Sequence, residues 1–340
     1  MTLEWRHRGS GRATQRPHYV ARPVKRRKEQ AVRCFANGAP VLLTSPEPRA
    51  RVDNGSMRTP DFERFFGVDF SGAKKAGDFI WVAEVVPRSR RPRLRLVSLR
   101  PLTAMCGTSE RSAALAHLVE LILGSGRALW GFDFPFGLPV ELFPAGTPWT
   151  DQFAFLSEWG DDAYACGLEC VRRATELLQR KHIRRASDSE AKTPFDTFHY
   201  RLIYQTFFGM RDVVNPLRQS RGTAVLPFQY RKLARAKRVL VECCPGSVLK
   251  YAGVPHQNYK QPAGGPLTRL RRQTRHEILD WLAGEVVIDD RFRRVIMRNP
   301  GGDALDAVIA AVGAARAVPA ADHRAVARHP RYRHEGHMYL

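Results

Sequence analysis

Short apolar runs separated by turn residues dominate the chain after residue 60. Phe65 to Phe70, Phe79 to Val86 and Arg93 to Leu99 are three strand-like runs joined by polar turns, a pattern that predicts an antiparallel meander. Ser109 to Leu123 then repeats apolar residues at helical spacing, and the apolar run Ala128 to Phe132 follows it. This order predicts a helix that returns the chain to a fourth, buried strand.

The second half of the chain is mainly helical, with one more strand-like run. Residues 145–235 have helical patterns broken by a polar stretch at Lys181 to Thr193, and we interpret this block as an insertion. Val239 to Glu242 is a short apolar strand, and helical patterns return at Leu267 to Leu282 and Asp303 to Val318. The pattern therefore predicts an α/β fold in which helices flank a mixed sheet of about five strands. Three of these strands form the antiparallel meander, and the others are parallel.

The chain is strongly basic. Its 55 Lys and Arg residues against 33 Asp and Glu residues give a net charge of +22, which favours binding of a polyanion such as nucleic acid. Residues 1–60 are rich in basic residues and lack periodicity, so we expect a disordered arm followed by a folded domain at 61–340. The alternative is that translation begins at Met57, which opens the first folded segment.

The apolar stretches do not match a membrane protein or a secreted one. Ala304 to Ala321 is interrupted by Asp306 and Arg316, and four arginines between residues 6 and 16 break up any signal-peptide core. The six cysteines show no even framework of spacings, which points to a reducing compartment. We expect a cytoplasmic protein with no membrane partner, and the sequence indicates no particular protein partner.

Acidic residues occupy positions where the pattern predicts burial. Asp69, Asp133 and Glu242 each end an apolar strand, and Asp303 and Asp306 lie three residues apart at the start of an Ala-rich helix. Ligands of open α/β sheets bind at the carboxyl ends of the strands, so we expect these acids to gather at one edge. Clustered carboxylates need a bridging cation, and an all-oxygen donor set selects Mg²⁺ or Mn²⁺.

Each acid also has a structural interpretation. Asp69 and Asp133 suit the turns that follow their strands, and Glu242 suits an ion pair with one of the basic residues that precede it. Asp303 suits an N-cap position, with Asp306 reciprocating in a capping box, so Asp306 is the better metal ligand of the two. Two bridged ions stabilise both the attacking and the leaving oxygen in phosphodiester hydrolysis, which favours a nuclease.

Several motifs of the chain carry a family resemblance. In chain order they are GVDFSGA from Gly67, GFDFPFGLP from Gly131, YQTFFGMRDVVNPL from Tyr204, VECCPG from Val241, GGDALDAVIAA from Gly301 and HEGHMY from His334. Together they resemble the domain-of-unknown-function 429 family, whose members are described as predicted nucleases with an RNase H-like fold. The resemblance runs from about Phe65 to the C-terminus.

The resemblance implies an RNase H-like domain and a catalytic set of acids. By matching motifs, these are Asp69 on the first strand, Asp133 on the fourth, Glu242 on the fifth and Asp306 on the late helix. The chain departs from the family pattern at Cys243 and Cys244, where an aliphatic-aromatic pair is more common, and at His337, where a Trp is usual. Neither change removes an acid.

Basic residues near these motifs are the candidate contacts to nucleic acid. They are Lys74, Lys75, Arg184, Arg185 and Arg211. Arg184 and Arg185 lie in the polar break of the insertion, which is either a loop that grips phosphate or a solvated turn between helices.

The sequence thus predicts a metal-dependent nuclease that acts on DNA or RNA by a two-metal-ion mechanism. Two alternatives stay open. DFSGAKK, from Asp69, is similar to the first phosphate-binding turn of actin-like kinases, which suggests an ATP-binding phosphotransferase. The fold alone is also compatible with a catalytically inactive module that binds nucleic acid.

Overall fold

The strands of the computed structural model form one mixed sheet. They are β1 (Arg64–Asp69), β2 (Trp81–Pro87), β3 (Leu94–Pro101), β4 (Ala128–Phe132), β5 (Thr223–Val225), β6 (Arg238–Glu242) and β7 (Val286–Val287). Their order across the sheet is β5-β6-β4-β1-β2-β3-β7. The structure describes residues 59–262 and 264–340. The predicted basic arm, apart from its last two residues, and the alternative start at Met57 therefore lie outside the described residues.

Helices pack on the two faces of this sheet. In chain order they are α1 (Ala76–Phe79), α2 (Thr103–Cys106), α3 (Arg111–Gly124), α4 (Asp151–Ser157), α5 (Ala163–Leu178), α6 (Ala186–Glu190), α7 (Ile203–Phe208), α8 (Asn215–Gln219), α9 (Tyr230–Leu233), α10 (Pro245–Tyr251), α11 (Arg269–Ala283), α12 (Asp290–Arg298), α13 (Asp303–Ala320), α14 (His323–Arg328) and α15 (Tyr332–Glu335). A π-helical segment, Gly209–Val214, joins α7 to α8, and a 3-10 turn, Val140–Leu142, precedes α4. None of the helices in the described ranges has the length and apolar character needed to cross a bilayer.

The predicted α/β class is confirmed, and the sheet is compatible with an RNase H-like arrangement. β1 pairs antiparallel with β2, and β2 with β3, which gives the expected meander. β4 then pairs parallel with β1, and β6 pairs parallel with β4. The sequence pattern missed the edge strands β5 and β7, since runs of three and two residues are too short to show a period.

Alternation along the strands divides the core into two clusters, one on each face of the sheet. Trp130 and Phe132 of β4 pack in the first cluster with residues of α3, α4, α5 and α7. Leu129, which directly precedes Trp130 and faces the other way, packs in the second cluster with residues of α11, α12 and α13. Both faces of the central strands are therefore buried, which explains why these strands are apolar along their whole length.

Helix α13 lies directly on the sheet because two paired strand residues are glycines. Gly67 of β1 is the partner of Gly131 of β4. A Cβ at Gly67 would lie 2.0 Å from the carbonyl oxygen of Ala307, and one at Gly131 would lie 2.8 Å from that of Ala310. Only residues without a side chain allow this approach of backbone to backbone. The contact brings the first turn of α13 close to the end of β1.

The polar stretch from Lys181 to Thr193 is folded and partly buried. α6 forms within it, and Arg185, Ser187 and Asp188 are all buried. The interpretation of Lys181 to Thr193 as a solvated turn is therefore wrong for its central residues. Charged residues there are buried because they pair with one another and with a distant strand.

Candidate metal centre

Three carboxylates converge at the edge of the sheet where β1 and β4 end. Asp69 is the last residue of β1, Asp133 follows β4, and Asp306 lies in the first turn of α13. Each offers an oxygen, and these oxygens all lie within 4.8 Å of one another. Asp69 and Asp306 are buried and Asp133 is half-buried. The structure thus brings together three of the acids that the sequence singled out.

Burial and nearby negative charges raise the pKa of every member of this cluster. Burial is the main cause for all three, and it raises the pKa of Asp133 to about 7 with the help of the charge on Asp306. The pKa of Asp69 is raised well above its usual range by burial, and the charges of Asp306 and Asp133 add to this. A bound cation would favour the ionised carboxylates. An all-oxygen donor set of this size fits a hard divalent ion, so the cluster is suited to hold a metal.

Two residues of the loop between α10 and α11 complete the surroundings of Asp306. Tyr259 donates its hydroxyl to Asp306 Oδ1 at 2.9 Å. The Lys260 ammonium forms an ion pair with Asp306 Oδ2 while 43% of its side chain stays exposed. Burial lowers the pKa of Lys260, but Asp306, Tyr259, Asp69 and Asp133 together raise it well above its usual range, so the ammonium stays protonated. Lys260 is therefore the basic group that offsets the negative charge of the cluster in the described structure.

The sequence analysis missed Tyr259 and Lys260. They lie in the segment HQNYKQP, which is polar and has no helical or strand period. A Tyr-Lys pair in such a segment looks like any solvated loop, and its contact with Asp306 spans more than 40 residues of chain. No local pattern distinguishes it.

Asp303 is not brought into the cluster, and its predicted N-cap role is wrong. Gly302, with a φ of 90°, is the N-cap of α13, and Asp303 is the first helical residue. Asp303 instead accepts a hydrogen bond from Asn299 Nδ2 at 3.2 Å, and Asn299 Oδ1 accepts from Ala304 N. Its charge still raises the pKa of Asp69 and of Asp306. Asp303 therefore acts on the cluster only through its charge.

Glu242 is also outside the cluster, because a buried arginine holds its carboxylate. Arg185 donates Nη1 to Glu242 Oε1 at 2.8 Å and Nη2 to Oε2 at 2.7 Å. The same guanidinium bonds to Asp188, and both carboxylates raise the pKa of Arg185, although its burial lowers it. The structure therefore favours the ion-pair interpretation of Glu242, with Arg185 as the partner rather than one of the basic residues that precede Glu242.

The basic residues predicted to contact nucleic acid fall into two groups. Lys74, Lys75 and Arg184 are exposed, so they are accessible to a ligand. Arg211 is engaged by carboxylates: it donates Nη2 to Asp161 at 2.8 Å and Nε to its neighbour in the chain at 2.6 Å. Arg185 is fully buried, and the predicted contact with nucleic acid is therefore corrected to a structural role.

Glu242→Gln is expected to lower the free energy of unfolding by about 2 kcal/mol, because it weakens the two charge-assisted hydrogen bonds from Arg185 while Asp188 still pairs with the guanidinium. Urea unfolding followed by circular dichroism measures this loss. Glu158→Gln, at an exposed position, is the matched control and should change stability by less than about 0.5 kcal/mol. Unchanged stability of Glu242→Gln together with lost metal binding would instead make Glu242 a functional acid.

The comparisons with known proteins agree with the motif resemblance. The family described as "Protein of unknown function (DUF429)" matches residues 67–331. The chain belongs to this family. The DUF429 match includes all three carboxylates of the cluster, and the predicted family is confirmed. The comparisons with curated proteins and with solved structures found no match. The DUF429 description names no reaction, so the function has to be argued from the site.

Proposed function

We propose that this protein is a nuclease that hydrolyses phosphodiester bonds in DNA or RNA with Mg²⁺ or Mn²⁺ by a two-metal-ion mechanism. The observation that carries the proposal is the convergence of Asp69, Asp133 and Asp306 within 4.8 Å at the end of the central strands. The raised pKa values support the proposal, because a divalent cation would stabilise the ionised carboxylates that burial and neighbouring charges disfavour. The net charge of +22 supports a polyanionic substrate.

The residues of the chain have separate roles in this proposal. Asp69, Asp133 and Asp306 would hold the ions, which when bound activate water and stabilise the leaving oxygen. Tyr259 fixes the orientation of Asp306 by its hydrogen bond. Exposed Lys74 and Lys75 follow Asp69 in the chain and would neutralise phosphates of the substrate strand.

The test is incubation of the purified protein with single-stranded, double-stranded and hybrid substrates in the presence of Mg²⁺, Mn²⁺ or chelator. We expect strand cleavage with either ion and none with chelator. ATP hydrolysis without strand cleavage would replace the proposal by a phosphotransferase. Binding of nucleic acid without cleavage under all of these conditions would replace it by an inactive binding module.

Lys260→Met is expected to tighten Mn²⁺ binding by at least about tenfold, because it removes a positive charge that lies against Asp306 Oδ2. Isothermal titration calorimetry with Mn²⁺ at one fixed pH, the same for both proteins, measures the change. Lys181→Met, at an exposed position in the insertion, is the control and should bind like wild type. Weaker binding by Lys260→Met would show that Lys260 supports the metal site rather than competing with it.

A further inference from the structure

A cavity of about 170 Å³ lies beside the carboxylate cluster. Asp133 lines it, so the cavity and the cluster share a wall. Phe134, Phe195 and Leu202 also line it, and the cavity is mostly apolar. It is formed where the chain leaves β4, where β6 ends, and where the segment before α7 crosses these strand ends. The cavity lies next to the proposed reaction site and is unused by the mechanism above.

The cavity also contains an unpaired polar group. Thr197 lines it and is only 1% exposed, and its hydroxyl finds no hydrogen-bond partner in the described part of the chain. Other polar groups of the wall are already engaged, as Arg185 and Glu242 bond to each other. A buried hydroxyl without a partner is costly, and such a group is often retained for a function. The Thr197 hydroxyl is therefore available to a ligand.

We propose that this cavity binds a single nucleobase, unpaired or extruded from its strand, while the adjacent phosphate lies at the carboxylate cluster. The inference rests on the proposed function, because the cluster next to the cavity is what points to a nucleic acid. A base combines apolar faces with a polar edge, which matches apolar walls and one free hydroxyl. Arg184 is exposed, and its Nη2 donates to the carbonyl oxygen of Pro194, which also lines the cavity. The Arg184 guanidinium therefore lies at the rim of the cavity, where it would contact the phosphate.

Substrate preference follows from this arrangement. A base in a duplex is stacked and paired, so only a single strand or a locally opened duplex presents it to a closed pocket at low cost. Stacking and burial of a base favour binding by a factor of at least about five. The protein should therefore bind a single strand with bases more tightly than the same strand without them.

The test is fluorescence anisotropy with a short single-stranded oligonucleotide and its abasic counterpart, both with Ca²⁺ in place of Mg²⁺ so that the cluster is neutralised and cleavage is suppressed. We expect the wild-type protein to bind the normal strand at least about fivefold more tightly. Leu202→Phe, which fills the cavity, should remove this difference. Leu270→Phe, at a position 57% exposed on α11, is the matched control and should retain it.

Thr197→Val separates ligand binding from a structural role. The variant removes the unpaired hydroxyl, so we expect higher thermal stability together with about fivefold weaker binding of the normal strand. Lower stability would mean that the hydroxyl supports the fold, and it would overturn this part of the inference.

The inference and the proposed function fail in different ways. Equal binding of the normal and abasic strands, together with metal-dependent cleavage, would overturn the base pocket and leave the nuclease intact. Base-dependent binding without cleavage would retain the pocket and reject the nuclease. Absence of binding to either strand would overturn the inference.

Discussion

Asp69→Asn is expected to reduce phosphodiester cleavage by at least about 100-fold while leaving the fold at least as stable as that of the wild type. Replacing a residue that only hydrogen-bonds to a metal ligand already lowers metal affinity or activity by about 10- to 100-fold. Asp69 is a proposed ligand itself, so we expect a loss of at least this size. The stability follows from the raised pKa of Asp69, since burial and the charges of Asp306 and Asp133 disfavour its ionised form. A neutral amide of the same shape removes that penalty in metal-free protein.

The opposite signs of these two effects make the experiment informative. Cleavage is measured with Mn²⁺ on the substrate that the wild type cuts best, and stability is measured by urea unfolding at pH 8 in chelator. Asp280→Asn, at an exposed position on α11, is the control and should change neither quantity. Retained cleavage by Asp69→Asn would remove this residue from the mechanism. A clear loss of stability would show that Asp69 is a structural acid.

The raised pKa values of the cluster also determine how pH acts on the stability of the metal-free protein. A carboxyl whose pKa is raised by folding binds protons more tightly in the folded state, so it stabilises the fold at low pH. For Asp133, with a pKa of about 7 against its usual value of 3.8, this contribution is lost as the pH rises towards 7. Bound metal would offset that loss, because it favours the ionised form.

The fold was predictable where elements are long enough to show a period. Ala128–Phe132 was located correctly by its continuous apolar run, and α13 by its long run of small apolar residues, because burial on both faces leaves a clear signal. Val286–Val287 gives no such signal. Its pairing with β3 depends on a contact across almost 200 residues of chain.

For the site, the sequence pattern predicted which acidic residues are buried but not what compensates their charge. Asp69, Asp133 and Asp306 interrupt apolar patterns, and parallel strands bring their carboxyl ends to one edge of the sheet. Glu242 interrupts its strand in the same way, yet its partner Arg185 lies 57 residues away in the chain. A local pattern shows that a carboxylate is buried but gives no information on whether an arginine or a metal ion compensates its charge.

Gly67→Ala is expected to lower the free energy of unfolding by at least about 4 kcal/mol and to disrupt the carboxylate cluster. The new Cβ would lie 2.0 Å from the carbonyl oxygen of Ala307 and 2.3 Å from the backbone nitrogen of Ala311. Overpacking usually costs about 1 to 3 kcal/mol, and we expect more here because backbone atoms cannot move by changing a rotamer. The helix has to shift away from β1.

This shift links the fold to the chemistry, because Asp306 directly precedes Ala307 on the displaced helix. We therefore expect the folded fraction of Gly67→Ala to bind Mn²⁺ at least about tenfold more weakly than the wild type, as measured by calorimetry. Gly124→Ala is the matched control, since a Cβ there meets nothing within 4 Å, and it should be neutral or slightly stabilising. If Gly67→Ala kept both its stability and its affinity for Mn²⁺, the close packing of α13 on the sheet would not be what positions Asp306. The cluster would then depend on the loop that carries Tyr259 and Lys260, the other part of the chain in contact with Asp306.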